Sequence, residues 1–410
     1  MDELAVFIER LNAREQSSNK VIVFAASMFL TTSIAYTLFQ FSDVNTIFSA
    51  GMPSPWLLFD YCTARGVIMF LSKYGMLPVD FASEDPYLIR DTQFGNKTRN
   101  MRVCVPIGLS NGVDINCTGP QGLLKLGFGF LEIGPVSINA QNSIDEARIS
   151  LFERSTMSSI NRKNASEGLN VVSTRLCDYI ENSRPKDLLT RNTVTGILIV
   201  LKTTNDVETL FANTRLIHCA DYITLDCPLN TETIKKIDQC ASKFASIPPI
   251  YIQVTEESES TSRIIETILA SQAIVGVCVN GQRTATVPCT TQAFPTLNEP
   301  VHVSGFITRQ KSTETVSTWY KLLGEKKEII ASGGVACGKD ALDKIEAGAS
   351  MVQILTAFTF EGAQIARRIK TQLSVQLMNK GYYNIDEAIG AKHREKSTRM
   401  KNAMKRRKRF

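Results

Sequence analysis

Short apolar runs alternate with helical patterns along most of the chain after residue 102. In the segment after each run, apolar residues recur every three or four positions, as on one face of a helix. Near-continuous apolar strands indicate burial on both faces, which a parallel sheet under helices requires. Eight such units predict an α/β fold, a (β/α)8 TIM barrel over residues 85–392. The predicted strands are Val103–Leu109, Phe130–Gly134, Gly196–Leu201, Tyr222–Asp226, Ile250–Val254, Ile274–Val279, Glu328–Ser332 and Met351–Leu355.

One stretch interrupts this alternation. Residues 137–192 show neither strand nor helix periodicity clearly. We therefore expect them to form an excursion over the mouth of the barrel.

The beginning of the chain has a different pattern. Residues 21–42 carry no charge and lie between Lys20 and Asp43. Such a run is long enough for a helix across a hydrocarbon core of ~30 Å. We expect a single transmembrane helix in membrane lipid at 21–42, after an N-terminal segment at 1–20. A cleaved signal peptide fits less well, because the run is long and no small-residue cleavage site follows it cleanly.

Residues 52–80 predict a small helical region next to the membrane. A proline-marked stretch, Met52–Trp56, precedes an amphipathic helical pattern over Leu57–Leu77. Short apolar helices beside a membrane span can lie in the interface and frame an apolar entrance. The alternative is that these helices pack only on the barrel.

The positive charge of the chain is concentrated at its end. The formal net charge is +6, and residues 394–410 hold nine Lys/Arg and one Glu, a charge of +8. The rest of the protein therefore carries about −2. The basic tail, residues 393–410, could contact phosphates, anionic lipid or an acidic protein partner, or it could be a solvated end. We do not expect nucleic acid as a partner.

The ten cysteines include no CxxC pair. Scattered cysteines are typical of small buried apolar residues in a reducing compartment. We therefore expect no disulfide framework.

Glycine-rich loops follow the seventh and eighth predicted strands. The seventh strand ends in Ser332-Gly-Gly-Val-Ala-Cys-Gly338 before a helix that opens with Lys339, and the eighth ends at Thr356. Barrels often bind phosphate with these two loops. Adjacent glycines let bare N–H groups approach an anion, and a helix N-terminus adds its dipole. The pattern predicts a phosphate site, with glycine-rich turns without a ligand as the alternative.

Several segments resemble one enzyme family. Ile329–Gly362, Lys125–Gly134, Ile160–Arg162 and Glu387–His393 are similar to the signatures of class 2, quinone-linked dihydroorotate dehydrogenases. This resemblance implies FMN at the top of the barrel, oxidation of dihydroorotate to orotate, and ubiquinone arriving between the N-terminal helices. It also implies a single-pass protein of the mitochondrial inner membrane.

The resemblance also implies site residues in this sequence. The expected substrate-binding amides are Asn161, Asn230 and Asn280, and Cys227 takes the position of the catalytic base. A cysteine thiolate can accept a proton. The expected FMN-binding residues are Ser304, Gly305, Gly333, Gly334, Ile354, Leu355 and Thr356.

Other positions depart from the family pattern. Ile115 and Gln253 replace two lysines that face the flavin, and Leu198 replaces an asparagine. Asp226 stands before Cys227, where a carboxylate would repel the carboxylate of the substrate. The loss of one buried polar partner costs about 1–3 kcal/mol, so several losses in one pocket would weaken binding or rate strongly.

The departures leave three hypotheses. The one we favour from the sequence is a pseudoenzyme, a degenerate barrel that serves as a structural or assembly subunit of a mitochondrial membrane complex. Such a barrel could still hold FMN or another phosphate ligand. The alternative is an active FMN-dependent dihydroorotate:quinone oxidoreductase of pyrimidine biosynthesis with Cys227 as base. The third is a flavoprotein that acts on another substrate.

Overall fold

The computed structural model describes residues 61–81, 85–92, 98–141, 148–152, 156–160, 166–183, 193–255, 262–281, 283–285 and 301–394. The predicted N-terminal segment 1–20, the predicted span 21–42 and tail residues 395–410 lie outside these ranges. Within the ranges, no helix is both long and apolar enough to cross a membrane.

The strands are named here in chain order. They are β1 Arg90–Thr92, β2 Met101–Val103, β3 Ile107–Leu109, β4 Phe130–Ser137, β5 Arg148–Phe152, β6 Thr156–Ile160, β7 Val194–Val200, β8 Tyr222–Asp226, β9 Ile250–Val254, β10 Ile274–Val279, β11 Arg283–Ala285, β12 Val301–Gly305, β13 Glu328–Ala331 and β14 Met351–Ile354.

The α-helices are named in the same way. They are α1 Tyr61–Lys73, α2 Pro120–Lys125, α3 Leu169–Asp178, α4 Asp206–Ala212, α5 Thr214–Cys219, α6 Thr231–Ala241, α7 Ser262–Ala270, α8 Arg309–Leu323, α9 Gly338–Ala347, α10 Thr356–Glu361, α11 Gln364–Asn379 and α12 Ile385–Ala388. Shorter turns are a π-helix at Tyr179–Ser183 and 3-10 helices at Phe306–Thr308, Gly324–Lys326 and Ala391–His393.

Eight parallel strands close a barrel in the order β3-β4-β7-β8-β9-β10-β13-β14. The predicted (β/α)8 TIM barrel is therefore confirmed. The first predicted strand was too long, because Met101–Val103 pairs antiparallel with β1. Pro106 separates this hairpin from β3, since proline has no N–H to donate to a sheet.

Large side chains fill the inside of the barrel. Phe130, Tyr222 and Tyr251 are fully or almost fully buried, and their rings meet edge-on at centroid distances of 6.3 and 5.9 Å. Met101 and Val103 pack into the same apolar cluster from β2. Because this interior is filled by side chains, a ligand must bind at the carboxyl ends of the strands.

An antiparallel sheet of order β11-β12-β6-β5 stands outside the barrel. β5 and β6 follow β4, and β11 and β12 follow β10, so the sheet is inserted after the carboxyl ends of two barrel strands. The expected excursion in residues 137–192 thus contains β5, β6 and α3. The sequence pattern missed the contribution of β11 and β12.

The described part of the region 52–80 is anchored to the barrel. Ser72 in α1 donates to the Gly119 carbonyl, at 2.5 Å, just before α2. A Cβ built on Gly122 would lie 2.5 Å from the Ser72 hydroxyl, so only glycine allows this approach. Farther along, the buried carboxylate of Asp80 pairs with Lys370 of α11.

Two cysteines form a disulfide. Cys177 in α3 and Cys219 at the end of α5 are bonded, with their Cα atoms 5.6 Å apart. The expectation that all cysteines stay reduced is wrong for this pair. The two residues are 42 positions apart, so only the packing of α3 against α5 brings them together. The free cysteines of the described residues are Cys104, Cys117, Cys227, Cys240, Cys278 and Cys337.

Candidate functional site

A cleft opens at the carboxyl ends of the barrel strands. Its empty volume, which includes open solvent, is about 690 Å³. None of its described lining residues carries a charge. They are Ser110, Asn111, Gln253, Cys278, Asn280, Ser304, Gly305, Phe306, Ser332, Gly333, Gly334, Val335, Ala336, Gln353, Ile354, Leu355, Thr356 and Ala357.

Two glycines after β13 form one wall of the cleft. Gly333 and Gly334 have φ angles of 99° and 70°, which side chains rarely allow. A Cβ on Gly333 would lie 2.6 Å from the Gly281 Cα, and one on Gly334 would lie 2.4 Å from the Arg309 Cα. The loop therefore presents bare backbone to the cleft, as an anion site requires.

The loop after β14 completes this end of the cleft. The hydroxyls of Ser304 and Thr356 lie 3.1 Å apart, so β12 and the start of α10 meet here. Within the described structure, the N–H groups of Gly334, Val335, Thr356 and Ala357 donate to no protein acceptor. These groups line the cleft and are available to the oxygens of a phosphate.

All seven residues predicted to bind the cofactor line this cleft. The seven residues therefore lie together, and their binding role stays a prediction. One detail differs from our expectation, which placed the start of α9 at the phosphate. The Gly338 N–H donates to Gln372 at 2.8 Å, and the Ala336 N–H donates to Asp340 at 3.1 Å. Because side chains occupy these donors, the short helix α10 provides the free helix N-terminus.

A polar network that the sequence reasoning missed lies beneath the cleft. Asn111 lines the cleft and donates through Nδ2 to Glu132 Oε2, at 2.7 Å. Thr224 donates to Glu132 Oε1 at 2.6 Å. Glu132 is fully buried, and burial raises the pKa of its carboxyl, while the hydrogen bonds oppose this shift. The only sequence signal was a glutamate within the apolar run Phe130-Leu-Glu-Ile133.

The candidate base, Cys227, is not among the residues that line this cleft. Cys227 follows β8 and is partly buried. Burial, together with the negative charge of Asp226, raises the pKa of Cys227 to about 12. The thiol is therefore protonated at neutral pH, and only a small fraction is present as the thiolate base.

The three candidate substrate amides have different locations. Asn280 lines the cleft just after β10. Asn230 is exposed and caps α6, since its Oδ1 accepts from the Thr233 N–H at 2.7 Å. Asn161 lies outside the described residues. The structure thus brings only Asn280 together with the predicted cofactor residues.

The positions that depart from the family pattern do not all lie in the cleft. Gln253 lines the cleft, where its amide can donate or accept a hydrogen bond. Ile115 is 8% exposed and lies outside the cleft lining, and Leu198 is 2% exposed within β7. Among the described residues that line the cleft, none is a cation that could replace the two lysines of the family pattern.

Helix α1 has one apolar face that the barrel does not cover. Val67, Phe70 and Tyr74 occur at helical spacing and are 36%, 57% and 59% exposed. Isolated exposed apolar residues are ordinary on protein surfaces, but three on one face form a patch. This face is available to a membrane surface or to an apolar molecule.

Comparisons with known proteins agree on one family. The family model for dihydroorotate dehydrogenase matches residues 94–377. The mouse protein dihydroorotate dehydrogenase (quinone), mitochondrial, is 28% identical over 364 residues, covering 84% of this chain and 89% of its own. Dihydroorotate dehydrogenase (quinone) of Sulfurimonas denitrificans is 28% identical over 307 residues, covering 70% and 82%. The crystal structure of Eimeria tenella DHODH in complex with ferulenol has a TM-score of 0.68 at 25% identity, covering 84% of this chain and 100% of that one.

Proposed function

Since this chain belongs to the dihydroorotate dehydrogenase family, we propose that it is an FMN-dependent oxidoreductase that converts dihydroorotate to orotate and delivers the electrons to a quinone. The observation that carries the proposal is the glycine loop, with the unused N–H groups around it, at one end of the cleft. The proposal revises our preference from sequence for a structural subunit, because none of the comparisons supports that role.

The residues of the cleft fit FMN. A Cβ at Gly333 or Gly334 would meet neighbouring backbone, so the loop stays bare, and unused N–H groups lie at the same spot. Ser304 and Thr356 add hydroxyls for the phosphate, while Gln253 and other polar side chains are available to the edge of the isoalloxazine ring. When bound, FMN supplies hydride acceptance from the substrate and electron transfer to the quinone.

Cys227 is the group we propose to accept the substrate proton. It follows the carboxyl end of β8, which pairs with β9, the strand that carries the cleft residue Gln253. Its raised pKa makes it a strong base once deprotonated, but only a small population of enzyme is in that form. We expect Asn280, and Asn161 from the excursion, to hold the substrate ring by hydrogen bonds. Asn230 is a weaker candidate because it already caps α6.

A second candidate function is a flavoprotein that acts on a less charged substrate. One observation favours it: no charged side chain is among the described residues that line the cleft. Dihydroorotate carries a carboxylate, and a binding site without a cation stabilises it less well. Asp226 beside Cys227 adds repulsion.

The partners follow from the same proposal. Quinones are apolar, and the face of α1 with Val67, Phe70 and Tyr74 offers an apolar surface for their entry. We propose that the predicted span 21–42 places the protein in the mitochondrial inner membrane, where the barrel stands on one aqueous face. The basic tail would then meet anionic lipid or an acidic partner.

The test uses the full chain purified in detergent. Visible absorbance of bound flavin is expected, and dihydroorotate should bleach it without any quinone present. Orotate formation with a short-chain quinone analogue should be lost in Cys227→Ala and retained in Cys337→Ala, a matched free cysteine elsewhere. Protein that binds no flavin would overturn the proposal. Flavin that dihydroorotate cannot reduce, but that a neutral analogue can, would favour the second candidate.

A further inference from the structure

A fully buried lysine stands behind the glycine loop. Lys344 in α9 is 0% exposed. Its ammonium donates to the hydroxyls of Ser312, at 2.5 Å, and Thr313, at 3.2 Å, both on α8. Burial of an ammonium is costly, so such a group is uncommon without a specific role or partner.

Ser312 connects this lysine to the cleft. Its hydroxyl has one hydrogen, and two carbonyls lie within reach: Gly333 at 3.0 Å and Arg309 at 3.1 Å. The Gly333 carbonyl belongs to the same peptide group as the Gly334 N–H. That N–H donates to no described acceptor, and Gly334 lines the cleft. A continuous chain of polar groups therefore runs from the lysine to the phosphate end.

Hydrogen bonds in a chain polarise one another. Donation from Lys344 makes the Ser312 hydroxyl a better donor, and donation from Ser312 to the Gly333 carbonyl makes the Gly334 N–H more positive. We propose that Lys344 is a positioning residue that strengthens binding of a phosphate monoester dianion at Gly334 through Ser312 and the Gly333–Gly334 peptide. The inference rests on the proposed FMN function, because FMN is the phosphate monoester expected here.

The charges around Lys344 bear on its protonation. Arg309 on α8 and Lys392 disfavour the charged form, whereas Asp340 and Asp343 on its own helix favour it. Asp340 is itself paired with Arg309 at 2.9 Å. Burial is the largest effect, and it lowers the pKa of Lys344 to about 7. The charge of this lysine is therefore poised near neutral pH and responds to a nearby anion.

A bound dianion attracts a proton to Lys344. Below pH about 7 the lysine is already charged, so ligand binding is accompanied by little proton uptake. Above that pH, binding must be accompanied by proton uptake, and affinity falls as pH rises. The second ionisation of a phosphate monoester lies near pH 6, so at pH 7 and above the ligand itself is mostly a dianion.

The experiment measures binding to the apo form of the full chain. FMN and riboflavin, which lacks the phosphate, are titrated by quenching of flavin fluorescence. Lys344→Met and Ser312→Ala are each expected to weaken FMN about tenfold, as for a lost hydrogen bond from a charged group, with riboflavin unchanged. Thr313→Ala is the matched control, since it removes the other lysine partner and leaves the loop contact.

Calorimetry of the unmodified protein gives an independent test. At pH about 8, FMN binding measured in two buffers of different ionisation enthalpy should show proton uptake, and riboflavin binding should show none. The inference would be overturned if the variants lost equal affinity for FMN and for riboflavin, or if FMN binding took up no proton. Either result would leave the proposed function intact. Failure of the unmodified protein to bind FMN would overturn both.

Discussion

The amide of Asn111 and the carboxyl of Glu132 connect the mouth of the barrel to its interior. Nδ2 of Asn111 donates to Oε2 of Glu132 at 2.7 Å, and the Thr224 hydroxyl donates to Oε1 of the same carboxyl. Asn111 faces the cleft, whereas Glu132 is fully buried. No cation pairs with Glu132 among the described residues, and burial raises the pKa of its carboxyl.

This arrangement predicts a pH dependence of stability. A carboxyl whose pKa is raised in the folded state stabilises the fold while it is protonated, below its ordinary value of 4.5. That contribution is lost as pH rises toward the raised pKa. Glu132→Gln keeps the size and removes the titration, so its free energy of unfolding should depend less on pH. Glu132→Ala should lose about 2–4 kcal/mol, because it leaves a cavity and two unpaired donors.

Chemical denaturation at several pH values measures both effects. Glu266→Gln serves as the control, because Glu266 is exposed on α7. Identical pH profiles for wild type and Glu132→Gln would contradict the account.

The glycine loop predicts a selective loss of cofactor. Gly334→Ala adds a Cβ 2.4 Å from the Arg309 Cα, at φ 70°. The loop must move, and we expect FMN affinity to fall at least about tenfold, as when a positioned donor is displaced. Gly381→Ala is a close control, because Gly381 has φ 73° and nothing within 4 Å of its added Cβ. It should cost about 1 kcal/mol of stability from backbone strain and leave FMN binding unchanged.

Cys227 predicts the direction of the pH–rate profile. Its pKa is raised to about 12, so the thiolate fraction grows with pH throughout the neutral range. If proton abstraction limits the rate, turnover should rise about tenfold per unit between about pH 7 and 9. Flavin reduction by dihydroorotate, followed by stopped flow, isolates this step from quinone access. A flat profile over this range would rule out Cys227 as a base that must first ionise.

Asp80 predicts a contrast between buried and exposed ion pairs. Its buried carboxylate pairs with Lys370 and lies 3.8 Å from Arg367. These two contacts hold the segment after α1 against α11. Asp80→Asn should cost about 3–5 kcal/mol of unfolding free energy, because it leaves cations without their partner. The exposed pair of Glu167 and Arg175, at 2.7 Å, provides the comparison. Glu167→Gln should change stability by less than about 1 kcal/mol, and similar losses from both variants would refute the contrast.

Some features of the site could be predicted from local sequence. Gly333 and Gly334 follow an apolar strand directly, and Thr356 follows the next one. Parallel strands in a barrel end at the same face, so residues after neighbouring strands must meet there. This is why Gly333, Gly334 and Thr356 line one cleft.

Other features depended on contacts between distant residues. The Gly338 N–H at the start of α9 donates to Gln372, and the Ala336 N–H just before the helix donates to Asp340. Asn230 caps α6, a use of its side chain that competes with ligand binding. Neither outcome follows from the residue types alone, because an amide or a carboxylate can bond either to backbone or to a ligand.

The sequence by itself determined the eight-stranded barrel and the place of the glycine loop at the carboxyl ends of its strands, because both follow from periodicity and from the order of strands and glycines. Only the tertiary structure decided which donors remain available, that Cys177 pairs with Cys219, and that Lys344 lies buried behind the Gly333 carbonyl. Those relationships join residues far apart in the chain, and each depends on how helices pack around the barrel.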